Sequence, residues 1–379
     1  AGADPGPACY RRGGPLTVTD CNVMLGKIVP AHFPSVFGPS GDEPIDDAVV
    51  RARFDTMADE IGEASGTRPA PAAVAEGFLR IAIENMANAI KKISVQRGYD
   101  VTDYALACFG AAGGQHACLV ADALAMNTVF IHPHAGVLSA YGMGLADVRD
   151  LRQIAVEKNL DDATCEEMAT LLGGLAVDGT AELVRQGVER SLITVQQSLH
   201  LRYLGTDTAL EVPFGERLAI IDAFEAAHRQ RFGFVDDGRP LVIEAAVVEA
   251  IGETEEGNDP KVARRRPAGQ LPDAIDHVAM HAAGAAHETP IFAREMLEPG
   301  DKLAGPAIII ETTATSIVEP GWTAEVTALD HLVLRRTAPR PSREAIGTKA
   351  DPVMLEVFNN LFMSIAEQMG LTLENTAHS

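Results

Sequence analysis

Apolar side chains recur at helical spacing over two stretches near the N-terminus of the chain. In Ile45–Ile61 and in Ala73–Gln96 they return every few positions, which predicts two amphipathic helices. Thr17–Asn22 has the pattern of a short strand, with Thr19 or Asp20 available to cap the apolar segment that follows. The chain is therefore expected to begin with one short strand and two long helices.

Asp103–Met126 combines an apolar run, a glycine-rich turn and a second apolar run at helical spacing. The pattern predicts a buried strand, a turn built around Gly110, Gly113 and Gly114, and a helix. Glycine permits backbone angles and close approaches that a Cβ atom would forbid, and the free N–H groups at a helix start suit phosphate or another anion. Tight packing is the other explanation for such a turn. The motif is neither the GxGxxG of dinucleotide-binding folds nor a Walker loop.

Further short runs extend the alternation of strands and helices. Thr128–His132 predicts a strand and Val137–Ala146 a helix, followed by a strand at Leu151–Val156. Asp161–Arg190 is rich in alanine and leucine and predicts a helix that breaks near Gly173–Gly174. Strands that alternate with helices in this way indicate an α/β layer.

The pattern then becomes richer in strands. Leu192–Pro213 alternates apolar and polar positions around a glycine turn, which predicts two paired strands. Ile220–Phe232 predicts a helix, Val242–Ile251 a buried strand, and Ala304–Leu334 a small β-sheet or barrel. This part of the chain is therefore expected to be β-rich.

The composition changes once more after the last predicted strand. Arg335 and Arg336 are predicted to form its solvated end. Ala338–Ala350 is polar and contains prolines, which predicts a linker, and Asp351–Ser379 begins with the spacing of a new amphipathic helix. The chain is therefore expected to end inside a further module.

Composition narrows the possible classes of function. The 379 residues carry a formal net charge of −22, which argues against nucleic acid or an anionic membrane as a general partner. No apolar run reaches the roughly 20 residues that span a bilayer. The five cysteines form no CxxC pair, which favours reduced thiols in a cytoplasmic protein. Any anionic substrate must then be held by local cations or N–H groups.

Four blocks of sequence follow one another in the first half of the chain. They are AGADPGPACYRRGGPLTVTDCN at Ala1–Asn22, GFLRIAIENMANAIKKISVQRGYD at Gly77–Asp100, FGAAGGQHA at Phe109–Ala117 and HPHAGVLSAYGMGLAD at His132–Asp147. Together they resemble the hydantoinase A / 5-oxoprolinase family. RYLGTDTALEVP and GPAIIIETTATSIVEPGW, further along the chain, resemble the C-terminal domain of that family. The segment from residue 351 onward resembles the opening of the partner hydantoinase B module.

The resemblance implies a fold and a domain organisation. The fold class is α/β: the C-terminal lobe of an actin/sugar-kinase-like, ribonuclease H-like fold, followed by a β-rich α+β domain. Residues 1–158 are expected to form the incomplete nucleotide-binding lobe, and residues 159–337 the β-rich domain. Residues 338–350 would be the linker and residues 351–379 the first helix of the hydantoinase B type module. The other half of the nucleotide fold would precede residue 1, so the chain is expected to be a fragment of a fused, single-chain protein.

The same resemblance implies ATP-dependent hydrolysis of a cyclic amide, with conversion of 5-oxo-L-proline to L-glutamate as the leading reaction. ATP would phosphorylate the amide oxygen, and Mg²⁺ is expected with the nucleotide. The expected partners are the small cyclic amide and the B module, in a protein that is homo-oligomeric when complete. The alternatives are an N-methylhydantoinase, a related ATP-dependent carboxylase subunit, and a non-catalytic scaffold that docks the two halves. The isolated piece is expected to be inactive.

Candidate site residues come from the glycine turn. The residues predicted to contact ATP are Gly110, Gly113, Gly114, Gln115 and His116. Packing is the alternative for the glycines, and a capping or packed role is the alternative for the histidine. Asp4 and Asp20 have the chemistry to orient Mg²⁺-bound water, although helix capping is the simpler role for Asp20. No catalytic residue is assigned.

Other reactive residue types are weighed against structural roles. Cys9, Cys108 and Cys118 have no base in their sequence neighbourhood, so buried structural thiols are the favoured interpretation. His132 and His134 form an HxH pair, but no third ligand stands in register with them. A loop role is therefore favoured over a metal site.

Overall fold

The structure, a computed structural model, divides into two units that are interleaved along the sequence. The first comprises residues 1–94, 100–138 and 259–368, and the second comprises residues 95–99, 139–258 and 369–379. The described residues are 2, 4–96, 99–236, 238–253, 263, 266–267, 269–340 and part of 358–373. The compact units thus differ from the contiguous segments 1–158 and 159–337. Most of the predicted linker and of the predicted terminal helix lies outside the described residues.

Seven α-helices occur in the described residues: α1 Val18–Met24, α2 Asp47–Ser65, α3 Pro71–Gln96, α4 Ala117–Ala123, α5 Leu138–Leu145, α6 Asp162–Arg185 and α7 Arg217–Phe232. Most of them match predicted helices with shifts of a few residues at the ends. α2 buries Val50, Phe54 and Ala58 along one face, as its apolar spacing requires. Asp46 caps α2 by accepting a hydrogen bond from the N–H of Val49 (3.1 Å).

The strand predicted at Thr17–Asn22 is wrong, because this segment begins helix α1. Thr17 is the N-cap, and the Asp20 carboxylate accepts hydrogen bonds from its N–H (2.7 Å) and its hydroxyl (2.9 Å). The same buried carboxylate accepts from the N–H groups of Ala8 (3.1 Å) and Cys9 (2.8 Å). Asp20 therefore ties the N-terminal loop to the start of the helix.

Helix α6 runs without interruption through Gly173 and Gly174, so the break predicted there is wrong. Met168, Leu172 and Leu183 are buried along the helix on both sides of the glycines. An added Cβ on either glycine would meet no described atom within 4 Å. Packing of the buried face outweighs the roughly 1 kcal/mol by which each glycine disfavours a helix.

Thirteen strands occur in the described residues: β1 Leu106–Cys108, β2 Thr128–Ile131, β3 Val148–Asn159, β4 Ile193–Tyr203, β5 Leu210–Pro213, β6 Leu241–Gly252, β7 Asp276–Ala282, β8 Ala285–Ala293, β9 Lys302–Ala304, β10 Ala307–Ile310, β11 Thr315–Val318, β12 Trp322–Val326 and β13 Leu332–Arg336. They form three sheets, with strand orders β1-β2-β13-β12-β9, β11-β10-β8-β7 and β3-β6-β4-β5. The first two sheets belong to the first unit and the third belongs to the second. The predicted α/β fold class is confirmed.

The strand that leads into the glycine turn is shorter and less buried than predicted. In β1, Ala107 is exposed, whereas Leu106 and Cys108 are half-buried. β1 pairs in parallel with β2, in which Val129 and Ile131 are buried. β1 lies at the end of its sheet, so it has a hydrogen-bonded neighbour on one side only. Its edge position explains the incomplete burial.

In the second unit, α6 and α7 pack against an antiparallel sheet. The paired strands predicted in Leu192–Pro213 are confirmed, since β4 and β5 pair with Leu199 opposite Val212. Leu172 of α6, Leu199 of β4 and Phe224 of α7 lie in one buried cluster. The sequence alternation suffices for this prediction because antiparallel pairing of neighbouring strands leaves a clear pattern of apolar and polar positions.

Arg335 is exposed, as predicted for a solvated strand end, whereas the side chain of Arg336 is buried. Its guanidinium ion-pairs with Asp122 (3.4 Å), donates to the carbonyl of Pro320 (3.0 Å) and lies over the ring of Trp322. Trp322 Nε1 donates to the same carboxylate (3.3 Å). The end of β13 is thus held by a carboxylate from α4.

The same carboxylate reaches the start of the predicted linker. Arg340 Nε lies 3.8 Å from Asp122. Arg340 Nη2 donates to the carbonyl of Met126 (2.9 Å) and to the side-chain oxygen of Asn127 (2.7 Å). The last described residues before 341 are therefore bound to the first unit.

Asp122→Ala should lower the free energy of unfolding by about 3 kcal/mol, because it leaves the buried guanidinium of Arg336 without its carboxylate. The matched control is Glu325→Ala, which removes an exposed carboxylate 3.3 Å from Lys302 and should cost less than about 1 kcal/mol. Urea unfolding followed by circular dichroism measures both values. Equal losses in the two variants would contradict a stabilising role for the buried pair.

Candidate functional site

The glycine turn connects β1 to α4 through a backbone conformation that favours glycine at its first position. Gly110 has φ +89°, and its N–H donates to the carbonyl of Ala135 (2.7 Å). A 3₁₀ turn at Gly113–Gln115 follows, and α4 begins at Ala117. α4 has seven residues and its first residues are buried. A ligand can therefore reach the exposed backbone of the turn, but not the start of the helix.

The turn has an exposed half and a buried half. Phe109, Ala111 and Ala112 are exposed, with Phe109 63% exposed. Gly110 and Gly113 are half-buried, and every residue in 114–118 is buried. Of the five residues predicted to contact ATP, the first two glycines therefore border the surface and the other three residues lie inside.

Packing accounts for part of the glycine pattern. An added Cβ on Gly114 would lie 2.5 Å from Ser316 Oγ and 2.9 Å from the carbonyl oxygen of Thr315, because β11 occupies that space. On Gly113 it would lie 2.9 Å from Sγ of Cys108, whereas on Gly110 it would meet no described atom within 4 Å. These surroundings favour a packing role for Gly114 and leave Gly110 as the open position of the turn.

One buried amide holds the two residues that follow the glycines. Asn22 Nδ2 donates to Oε1 of Gln115 (2.9 Å) and lies 3.4 Å from Nε2 of His116. All three side chains are buried, and Asn22 is only 1% exposed. Within the described part of the chain, Oδ1 of Asn22 and Nδ1 of His116 have no hydrogen-bond partner. The side chains of Gln115 and His116 are thus bound to α1 inside the protein.

A buried ion pair lies beside this network. Lys27 Nζ donates to Oε1 of Glu319, and both side chains are almost fully buried. Burial, and to a smaller extent the positive charge of Lys27, lowers the pKa of His116 from 6.5 to about 4. His116 is therefore neutral near pH 7, and its Nε2 can accept a hydrogen bond from the amide of Asn22.

The loops after β1 and β2 meet at one edge of their sheet, since the two strands are parallel. The bond between Gly110 and Ala135 joins these loops. An added Cβ on Gly136 would lie 2.6 Å from Oγ1 of Thr313, so the connection between β10 and β11 packs against the same place. The carboxyl edge of a parallel pair is where open α/β sheets bind their ligands.

The HxH pair lies in the loop after β2. The ring centroids of His132 and His134 are 5.4 Å apart, and the ring of His331 is 5.1 Å from that of His132. Nδ1 of His132 accepts a hydrogen bond from the N–H of His134 (3.0 Å). Among the described residues, no group of three or more His, Cys, Asp or Glu side chains is placed to hold a metal ion.

A cleft of about 520 Å³ opens in the first unit beside the connection between β10 and β11. It is lined by Ala263, Arg294, Glu295, Leu297, Glu298, Glu311, Thr312, Thr313 and Asp330. Arg294 is ion-paired with Asp330 (2.8 Å), and burial raises the pKa of Glu311 above its usual range. The cleft has more carboxylates than cations in its lining, so it suits neutral or cationic ligands and disfavours phosphate.

The other reactive residues have structural surroundings. Asp20 is fully buried among its four donors, in keeping with helix capping, whereas Asp4 is exposed. Burial raises the pKa of Cys9 and of Cys118, and it raises that of Cys108 to about 11. A raised pKa disfavours the thiolate, so none of the three has the surroundings of a nucleophile.

Sequence reasoning does not identify three buried residues: Asn22 of the buried network, and Lys27 and Glu319 of the ion pair beside it. The sequence feature that could indicate a buried charge is a single charged residue inside an apolar run, as at Lys27 between Leu25 and Ile28 and at Glu319 after Val318. This feature does not identify the residue with which the charge pairs. Lys27 and Glu319 are 292 positions apart in the sequence.

Comparison with known proteins places the chain in a family. The family profile described as Hydantoinase/oxoprolinase matches residues 1–152, and the profile of the Hydantoinase/oxoprolinase C-terminal domain matches residues 155–336. The chain belongs to the hydantoinase/oxoprolinase family. The matched segments contain both the glycine turn and α1, so the buried network lies within the family's own domain.

Relatives from this family match the whole chain. 5-oxoprolinase 1 of Arabidopsis thaliana is 37% identical over 390 residues, and the 5-oxoprolinase of Dictyostelium discoideum is 35% identical over 385 residues. Each match covers 100% of this chain and 30% of the relative, so the chain spans about a third of those proteins. Caprolactamase subunit alpha of Pseudomonas jessenii is 29% identical over 338 residues, covering 85% of this chain and 47% of the subunit.

Two solved structures have the same fold as this chain. The ATP-dependent caprolactamase from Pseudomonas jessenii superposes with a TM-score of 0.77 at 26% identity, covering 89% of this chain and 49% of that one. Nucleotide-free acetone carboxylase superposes with a TM-score of 0.64 at 19% identity, covering 87% of this chain and 48% of that one, which shows the fold alone.

Within the described residues, no helix combines the length and the hydropathy needed to cross a bilayer.

Acid should destabilise the protein partly through His116. Its pKa is 6.5 when unfolded and about 4 when folded, so stability present above pH 6.5 is lost as the pH falls toward 4. The loss amounts to about 3–4 kcal/mol, at about 1.4 kcal/mol for each unit by which the pKa differs between the two states.

The variant His116→Gln should lack this part of the acid sensitivity, because glutamine does not titrate. Urea unfolding of the variant and of the unmodified protein across this pH range gives the difference. His200→Gln, a half-exposed histidine in the second unit, serves as the control. Identical acid sensitivity of His116→Gln and the unmodified protein would show that His116 is not held neutral by burial.

Proposed function

We propose that this chain is part of an ATP-dependent lactam hydrolase of the 5-oxoprolinase type, which converts 5-oxo-L-proline to L-glutamate. The observation that carries the proposal is the extent of the matches. The relatives named 5-oxoprolinase match all of the chain, including the part beyond residue 336, whereas the caprolactamase alpha subunit matches 85% of it. This extent favours a protein in which A-type and B-type modules share one chain.

The glycine turn supports ATP as the cofactor. Gly110 leaves open space where a Cβ would stand, and the residues Ala111 and Ala112 are exposed. Main-chain N–H groups in such a turn suit phosphate, which this acidic chain must bind through local groups. In the proposal, the main-chain N–H groups of Ala111 and Ala112 would hold the nucleotide, with Gly110 and Gly113 bordering them, since the N–H groups of those two glycines already donate to carbonyls within the chain. Gly114, Gln115 and His116 would support the turn from inside.

ATP, when bound, supplies a phosphoryl group that turns the unreactive amide oxygen into part of a better electrophile. The residues of this chain would position the nucleotide and exclude water around it. Mg²⁺ belongs to the proposal as the companion of the nucleotide. The acidic cleft lined by Glu311 and Asp330 is a place for neutral or cationic groups and would not hold the phosphates.

The organisation proposed for the complete protein follows the predicted boundaries. Residues 1–158 would be the nucleotide-binding lobe, 159–337 the β-rich domain, 338–350 the linker and 351–379 the start of a hydantoinase B type module. The complete protein would be a cytoplasmic homo-oligomer. The chain alone would lack catalysis, since it spans about a third of the 5-oxoprolinases it matches.

The decisive experiment measures phosphate release from ATP by the full-length protein that contains this chain. Stimulation by 5-oxo-L-proline, with formation of L-glutamate, is the expected result. The same assay with caprolactam, N-methylhydantoin or acetone tests the alternative lactam hydrolases and the alternative carboxylase subunit. Stimulation by one of these alone would replace the proposed substrate, and no stimulation by any would favour the scaffold.

A charge placed on the exposed half of the turn tests the nucleotide site. Ala112 is exposed and has φ −97°, so Asp and Asn are both accommodated there without strain. Ala112→Asp should raise the KM for ATP at least about tenfold, because a carboxylate repels the phosphates at close range. Ala112→Asn, of the same size but neutral, should raise it much less. Equal KM values for the two variants would remove the turn from the ATP site.

A further inference from the structure

The buried network joins the glycine turn to α1, a helix that the proposed mechanism does not use. The amide of Asn22 contacts two consecutive residues, Gln115 and His116, which follow directly on the double glycine. Among the described residues, Asn22 is the one side chain that hydrogen-bonds to Gln115, whose own side chain is almost fully buried. Asn22 therefore fixes the point where the turn enters the core.

Asn22 is itself held rigidly. Its backbone carbonyl accepts hydrogen bonds from the N–H groups of Lys27 (2.9 Å) and Ile28 (3.2 Å), which closes the end of α1. Asp20, two residues earlier, anchors the start of the same helix through its four donors. Lys27 continues to Glu319, which follows β11. β11 is the strand that packs against Gly114.

The buried half of the turn is thus held from two sides. α1 holds Gln115 and His116 by hydrogen bonds, and β11 excludes any side chain at Gly114. The Lys27–Glu319 pair connects these two supports. Breaking a buried pair or leaving a buried amide unpaired is strongly unfavourable, so this arrangement resists displacement.

The network also retains unpaired polar atoms. Among the described residues, Oδ1 of Asn22 and Nδ1 of His116 are buried without a partner. A purely structural core would be more stable with apolar side chains at these positions. Polar groups kept at such a cost are typical of places where geometry matters for function.

We propose that Asn22 is a positioning residue for nucleotide binding, which fixes the buried half of the glycine turn so that Gly110–Ala112 presents a preset backbone. The proposal rests on the function proposed above for this turn. Asn22 is buried and does not touch the nucleotide. It acts through Gln115 and His116, and its removal should let the exposed half of the turn adopt other conformations.

The test compares Asn22→Ala with Val326→Ala in the full-length protein. Val326 is buried in β12, three strands away from β1 in the same sheet, so its truncation loosens the same unit without touching the turn. The kinetic constants of the two variants are compared under conditions in which both have the same free energy of unfolding, as measured by urea titration. Asn22→Ala should raise the KM for ATP at least about tenfold with a kcat within about threefold of the unmodified protein, because binding geometry is lost and not the reacting groups. Val326→Ala should leave both constants unchanged.

A second measurement does not depend on turnover. Hydrogen exchange followed by mass spectrometry should show faster exchange in residues 109–116 of Asn22→Ala, and unchanged exchange there in Val326→Ala. If Asn22→Ala does not fold, Asn22→Ser replaces it, since the shorter hydroxyl fills part of the space but does not reach Gln115.

The outcomes separate the two proposals. A KM for ATP in the Asn22 variant no higher than in Val326→Ala, or unchanged exchange in the turn, overturns the positioning role. An unmodified protein that shows no ATP turnover with 5-oxo-L-proline overturns the proposed function instead. In that case the exchange measurement still decides whether Asn22 holds the turn.

Discussion

The hydrogen bonds to the buried carboxylate of Asp20 are the constraint on which the glycine turn depends. They come from the N-terminal loop and from Thr17, and they set where α1 begins. A helix of seven residues has little stability of its own, so its position comes from such contacts. Asn22 lies two residues after Asp20 and reaches a residue 93 positions away in the sequence. The TVTDCN block thereby influences a turn that it does not adjoin.

The glycine turn combines two uses of the same residue type. Gly114 is required because β11 leaves no room for a Cβ, whereas Gly110 has a positive φ and faces open space. Sequence alone does not separate these uses, since both appear as glycine in one short motif. The turn is fixed by packing at Gly114 and accessible at Gly110, so its backbone is preorganised. Preorganisation reduces the entropy lost when a ligand binds.

The long elements were predictable from periodicity because each has one buried face. α2 follows its apolar spacing, and β4 with β5 follows its alternation. α3 forms where its spacing predicts a helix, but it buries Val74, Leu79 and Ile83 and leaves Phe78 and Ile93 exposed. α1 was mistaken for a strand because it is short, although Thr17 and Asp20 form a capping box that marks a helix start. Arg336 and Lys27 were not predictable, since burial of a charged side chain depends on a partner far away in the chain.

The attachment of Arg340 to Asn127 has a consequence for how genes of this family can be divided or joined. A chain break placed after residue 340 would leave these contacts, and the Asp122–Arg336 pair, intact within the upstream product. A break before residue 336 would remove both guanidinium partners of the half-buried Asp122 carboxylate, which would keep the hydrogen bond from the indole N–H of Trp322. At this end of the first unit, a chain break or an inserted tag would thus preserve these contacts when it is placed after Arg340.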